Sequence, residues 1–348
     1  MTTAIVVTGA GGVGKTTVAA ALAIRRARAG QRTLVVTVDP ARRLADALGI
    51  ELGSEPRQVK GERLLSAAMI DAVSSWQAVA RKHADPSVAN RLVGSEFFQA
   101  ATAHFPASQS YAAAEEAATY LDSGLWDMVV VDTPPAAGGI DFFTAPSQMA
   151  DLVGGTLLRL LTGGRLPGRR FLFNRGARPL LRFADQILGS DLLERVAQFL
   201  MDLRTTYDGV RQRAQEIESH FLKSFTVVVT TADPAPMAET LRFFRELPEI
   251  ASPPGLVVFN RSLPLRWAKA SPPPRTGLAL AENLARWGAE AQRQADARAE
   301  FASHYQTPLA TIPWMPQAPT DIDALASLID HADNWADNWA DHGLDVTS

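Results

Sequence analysis

Residues 5–17, IVVTGAGGVGKTT, constrain this chain more than any other stretch. They read as an apolar strand (Ile5, Val6, Val7), a glycine-rich turn and the opening of a helix. Gly9, four residues, Gly14, Lys15 and Thr16 satisfy G-x-x-x-x-G-K-[ST], the phosphate-binding P-loop pattern. Each residue type has a chemical reason. Glycines let successive backbone N–H groups converge and form a nest for phosphate oxygens. A helix that starts near Gly14 adds its free N–H groups and the positive end of its dipole. Lys15 can reach β- and γ-phosphates, and the Thr16 hydroxyl can hold Mg²⁺. The pattern follows a strand and precedes an Ala-rich helix over 17–29, which is the context the motif requires. A featureless glycine loop would need none of that order.

Gly30 is a C-cap candidate for this helix, and a second strand over 33–38 ends in Asp39-Pro40. A strand–helix–strand unit of this length is a βαβ crossover and implies a parallel sheet. Ligands of such sheets bind beyond the carboxyl ends of the strands. Asp39 and the P-loop therefore share one edge. Residues 41–123 read mostly as helices. The run 128–131, MVVV, has the pattern of a strand buried on both faces, and Asp132-Thr133-Pro134-Pro135 ends it. Residues 145–222 read as helical again, with Leu192, Leu193, Val196, Phe199, Leu200 and Leu203 at helical spacing. That stripe suits core or interface packing, with a ligand groove as the alternative. Six arginines and no acidic residue stand between Arg165 and Arg182. A solvated loop fits them, and contact with anionic lipid or an acidic partner is the alternative. Further strands are expected over 225–230, over 256–259 with Asn260-Arg261 at its end, and over 309–312 before Pro313. A polar helix precedes the last of these, and a final helix is expected over 320–331. The tail repeats ADNW twice, and residues 332–348 are expected to be flexible.

The 348 residues are 47% hydrophobic, enough for one large or two modest cores. A net charge of −3 carries no electrostatic footprint of nucleic-acid binding, and none is expected. There is no cysteine, hence no disulfide or thiolate site. The first apolar stretch is the P-loop strand rather than a signal peptide, and no uncharged apolar run is long enough to span a bilayer. A cytoplasmic location is expected.

The pieces GAGGVGKTT, VDPARRLADALG, VVVDTPP, GSDLLERVAQFLMDLRTTYDGVRQRA, TTADPAPMAET and VVFNRSLP occur in that order along nearly the whole chain. With them the sequence resembles the ArsA family of ATPases, which includes the arsenite-pump ATPase and the tail-anchored-protein targeting ATPase. The resemblance implies an α/β P-loop NTPase fold, with a mostly parallel sheet and helices on both faces. It also implies a helical insertion at about 147–223 within an ATPase domain over 1–331, and a dimer that uses ATP and Mg²⁺. It assigns the phosphate loop to Gly9, Gly11, Gly12, Val13, Gly14, Lys15, Thr16 and Thr17. It makes Asp39 the carboxylate that positions the attacking water, beside Lys15 in catalysis. Thr16, Asp39 and Asp132 lie near the metal, Asn260 on the adenine, and Pro313 and Met315 in the loop that covers it.

The family's loop carries a lysine where this chain has Ala10. That lysine reaches the partner's nucleotide, as an arginine finger does, and such a cation is worth on the order of 10³–10⁵ in rate. Three alternatives are open: slow hydrolysis, a substitute cation such as Arg42 or Arg43, or a lysine-bearing paralogue as partner. The lack of cysteine excludes thiolate binding of arsenite and the CxxC zinc clamp of the eukaryotic targeting ATPase. The expectation is an ATPase whose nucleotide state switches a helical surface for a partner. The alternatives are a nucleotide-gated module with little hydrolysis, and a targeting factor for hydrophobic membrane-protein segments in peripheral contact with a membrane.

Overall fold

Runs of Val, Ile, Leu and Ala without polar interruption make strands that bury both faces. The protein, seen in a computed structural model, is described over residues 2–38, 42–104, 108–134, 140–154, 190–247 and 252–335. The described residues fall into two compact units. One comprises Met1–Ile70, Glu116–Phe143 and His220–Ser348; the other comprises Asp71–Glu115 and Thr144–Ser219.

The first unit is built on an eight-stranded sheet. Its strands are β1 (Thr3–Thr8), β2 (Thr33–Thr37), β3 (Arg57–Gln58), β4 (Leu65–Met69), β5 (Met128–Asp132), β6 (Phe225–Thr230), β7 (Leu256–Ser262) and β8 (Leu309–Pro313). The order across the sheet is β3-β4-β2-β5-β1-β6-β7-β8. The β3–β4 pairing is antiparallel and the others are parallel. Alternate residues serve opposite faces. Ile5 and Val7 join a core cluster with α1 (Lys15–Arg28), α2 (Arg43–Leu48) and a C-terminal helix, Ile322–Asp330. Ala4 and Val6 are also buried, outside that cluster. Phe259 of β7 meets Phe301 of the helix Leu278–His304 at 5.9 Å between ring centroids. Helices therefore cover both faces, as a buried parallel sheet requires. That helix has one feature the core does not explain. Leu278, Leu280, Leu284 and Trp287 in its first turns are all exposed.

The second unit is helical. Its elements include α3 (Ala72–His83), α4 (Ala89–Val93), α5 (Glu96–His104), part of α6 (Ser108–Asp122), part of α7 (Ile140–Gly154), α8 (Ser190–Arg204) and part of α9 (Tyr207–Lys223). Trp76 of α3 stacks on Tyr111 of α6 at 4.7 Å. Arg213 of α9 and Glu115 of α6 form an ion pair at 2.9 Å with both side chains buried. The Arg91 guanidinium grips Asp202 through bonds of 2.6 and 2.7 Å and holds that carboxyl below its ordinary range. Phe199, from the apolar stripe, lies 5.8 Å from the Phe97 ring. The helices completing the chain are α10 (Pro234–Glu246), α11 (Leu278–His304) and α12 (Ile322–Asp330).

One expectation needs correction. The reading of 41–123 as mostly helical passes over β3 and β4, and β4 pairs residue by residue with β2 from Thr33↔Leu65 to Thr37↔Met69. Its sequence, LSAAM, has no β-branched or aromatic residue, so local propensity favours a helix. Burial between neighbours decides otherwise. The arginine-rich stretch between Arg165 and Arg182, and the second copy of the ADNW repeat, lie outside the described residues.

Candidate phosphate-binding site

β1 runs straight into the loop, and the loop backbone explains its glycines. Gly9 has φ +140°, and a Cβ there would stand 2.0 Å from the Val229 carbonyl oxygen of β6. Gly14 has φ +98°, and its Cβ position is occupied by the Asn260 amide nitrogen, 2.3 Å away. Only glycine fits either position. Helix α1 begins at Lys15 with no side-chain cap and no acidic residue in its first turn. Its N–H groups are thus left for an anion rather than for a protein carboxylate. Lys15 is buried and folds back over the loop, donating from Nζ to the carbonyls of Gly9 (3.0 Å) and Ala10 (2.9 Å). The Ala10 methyl is buried in the core cluster.

Sheet register brings the polar strand ends level. Asp132 at the end of β5 is opposite Val7 on one side and Thr37 on the other. Its Oδ2 accepts hydrogen bonds from the hydroxyls of Thr16 (2.8 Å) and Thr37 (2.9 Å), and the carboxylate is 1% exposed. Thr133 is tied back to the Val7 carbonyl through its N–H (3.1 Å) and hydroxyl (3.0 Å). A hard cation takes oxygen ligands, and Mg²⁺ usually needs only one or two protein groups beside phosphates and water. Thr16 and Asp132 supply that donor set. Among the described residues no cluster of three or more His, Cys, Asp or Glu could hold a metal unaided. The fit is to a metal that arrives with a phosphate ligand.

On the other side of β1, Asn260 of β7 reaches the loop. Its Nδ2 donates to the Val13 carbonyl at 2.8 Å, and its Oδ1 accepts from the Arg261 N–H at 2.9 Å. Pro313 ends β8 beside Ser262, and Met315 packs on the core cluster. A cavity of about 200 Å³ opens over the loop, lined by Gly12, Gly14, Lys15, Thr16, Thr17, Arg43, Thr133 and Arg261. Three of these are cationic and none is acidic. The arrangement can accept a polyanion about the size of a polyphosphate, cradle it on backbone N–H groups and surround it with positive charge.

Gly9, Gly11, Gly12, Val13, Gly14, Lys15, Thr16, Thr17 and Asp132 are thereby gathered at the carboxyl edge of the sheet, with Asn260 braced against them. Asp39 lies outside the described residues. Of the two proposed substitute cations, Arg43 lines the cavity, while Arg42 is not among the lining residues and takes φ +54° as the cap of α2. Sequence reasoning passed over Thr37, Thr133 and Arg261. Each is adjacent to a strand-end residue it did single out, or two positions from one, and that proximity is the signal that would have found them.

Comparison with known proteins agrees with this geometry. The model of a family described as "Anion-transporting ATPase" matches residues 2–271. A Chlorobaculum tepidum protein named "Putative arsenical pump-driving ATPase" is 26% identical over 263 residues, which is 74% of this chain and 60% of that protein. The chain thus spans about 60% of the length of that relative. "ATPase GET3" of Malassezia globosa is 28% identical over 258 residues, 73% of this chain and 71% of its own. "ATPase get3" of Schizosaccharomyces pombe is 27% identical over 263 residues, 74% and 73% respectively.

Proposed function

The chain belongs to the anion-transporting ATPase family, and from that premise we propose that it binds ATP with Mg²⁺ over the Gly9–Thr17 loop and hydrolyses it. The observation that carries the reading is a cavity wall that includes Lys15 and Thr16, with the buried Asp132 carboxylate hydrogen-bonded behind Thr16 and no acidic side chain among the described residues that line the cavity. Bound Mg²⁺ supplies charge neutralisation of the phosphates, held by Thr16 and Asp132. Lys15 exchanges two loop carbonyls for phosphate oxygens, so its ammonium is never without acceptors. The α1 N–H groups fix the phosphates in place, and Asp39 orients water. Asn260, Pro313 and Met315 lie toward the base. Turnover with a fluorescent ATP-binding measurement tests this. Lys15→Ala abolishes hydrolysis, and undiminished turnover refutes the site. Asp39→Asn keeps binding and loses turnover; lost binding makes Asp39 structural.

The finer reading is a cytoplasmic dimer, of two copies or of one copy and a paralogue, whose nucleotide state repositions the helical unit toward a partner. Ala10 supports a second reading, a nucleotide-gated module that barely hydrolyses. A buried methyl replaces a cation that speeds phosphoryl transfer in related enzymes. ATP-strengthened dimerisation without turnover favours this second reading. The relatives' names raise two client classes. Arsenicals are not carried over, because the chain holds no thiolate ligand. Hydrophobic helices are, through the stripe on α8, and an ATP-bound dimer that retains no hydrophobic peptide ends that reading. Among the described residues no helix is long and apolar enough to cross a membrane.

A further inference from the structure

We infer that Arg261 anchors the nucleoside end of the bound nucleotide, an assignment that rests on the ATP-site reading above. The argument starts from sheet order. β5 and β2 lie on one side of β1, and β6 and β7 on the other. The metal pair, Thr16 and Asp132, is on the β5 side. The metal-bound end of a triphosphate therefore points toward β5, and the nucleoside end runs toward β7. Arg261 leaves β7 and lines the same cavity as Gly12 and Gly14, while Arg43 enters it from the β2 side.

The backbone at Arg261 is specially held. Its φ is +52°, in the left-handed region that a non-glycine residue rarely adopts. The Asn260 carboxamide stabilises it, accepting the Arg261 N–H while its Nδ2 grips Val13 O. The β7–β8 register also shifts between Phe259 and Ser262. One side chain thus straps this corner of β7 to the phosphate loop and fixes where the Arg261 side chain departs. Strain of this kind persists where surrounding structure over-determines it, and it clusters at ligand sites.

The guanidinium itself is exposed and makes no hydrogen bond or ion pair with any described residue. Arg25, Arg28, Arg32 and Arg293 of the same unit each meet an acidic partner within 2.7 Å or less, whereas Arg261 lines the cavity without one. With no acid among the described residues that line the cavity, an α-phosphate is the partner a guanidinium there would take. This contact is the same in ATP and ADP, and the same in ground and transition states. It contributes uniform binding rather than rate. Arg261 is then a nucleotide anchor and not a replacement for the cation missing at position 10.

The test is the affinity of full-length protein for fluorescent ATP and ADP, with steady-state turnover, in wild type, Arg261→Ala, Arg261→Lys and Arg261→Gly. Arg261→Ala weakens both nucleotides by the same factor, about tenfold, and raises KM with kcat retained. Arg261→Lys recovers part of the loss. Arg261→Gly loses as much as alanine although it relieves the backbone, which separates side chain from conformation. Unchanged affinities in Arg261→Ala, or a loss confined to ATP with a fall in kcat, overturn the inference alone. A wild-type protein that binds neither nucleotide overturns the site reading, and the inference falls with it.

Discussion

Gly9→Ala asks more of the phosphate loop than any other single methyl group. The added Cβ stands 2.0 Å from the Val229 carbonyl oxygen and 3.0 Å from its carbonyl carbon. An ordinary contact is more than about 3.4 Å, so something must move by over ~1 Å. Val229 cannot retreat, because β6 is hydrogen-bonded to β1 on one side and β7 on the other. The loop must move instead. Its φ of +140° is nearly closed to any L-residue, which adds strain to the overlap. Summing about 1–3 kcal/mol for each term gives a loss of about 2–6 kcal/mol. That is a large share of the ~5–15 kcal/mol that holds a domain together. Relaxation by shifting the loop breaks the Lys15 bond to the Gly9 carbonyl, so nucleotide binding falls with stability. The control is Gly11→Ala. Position 11 has no positive φ, and its Cβ would find nothing within 4 Å. It should change stability by less than about 0.5 kcal/mol. Gly12→Ala, with open space but φ +75°, should fall between at about 1–2 kcal/mol. Calorimetric unfolding and ATP titration of the three variants read both effects. If Gly9→Ala behaves like Gly11→Ala in both, the loop geometry is wrong.

Three further outcomes follow from the same structure. Glu115→Ala removes the buried carboxylate opposite Arg213 and should cost about 3–5 kcal/mol in the helical unit, read by denaturant unfolding; a loss under about 1 kcal/mol would mean the pair is hydrated. Burial pushes the His83 imidazole below its ordinary value, Lys82 and Arg213 lower it further, and Glu115 and Glu216 oppose them. A depressed folded value means the unfolded chain takes up its proton first as pH falls. His83 stability is therefore complete above about 6.5 and lost from there down to its folded value. His83→Gln should flatten the pH dependence of melting in that window, and an unchanged profile would contradict the burial. Leu280→Ser on the exposed start of α11 should shift stability by less than about 0.5 kcal/mol; a larger shift that grows with protein concentration would show that this leucine is covered in solution.

The parts of this fold legible in sequence are those where chemistry leaves no alternative. Left-handed glycines followed by Lys15 and Thr16, and β-branched runs ending in Asp132 or Asn260, state their roles locally. β4 does not, because LSAAM becomes a strand only through its neighbours. The brace from Asn260 to Val13 joins residues 247 positions apart and no spacing rule reaches it. Arg261 was visible as a letter but not as a cavity wall, since its direction depends on a left-handed backbone that arginine rarely adopts. Asn260 shows how one residue can answer two demands. The resemblance assigns it to the base, and the structure has it also filling the space that makes residue 14 a glycine.

The most direct test is calorimetric titration of ATP into the protein with and without Mg²⁺, beside Thr16→Ala. The account predicts tight binding that depends on Mg²⁺, with that dependence lost when the Thr16 hydroxyl, now on Asp132, is removed. Binding indifferent to both the metal and Thr16, or no binding at all, would contradict it.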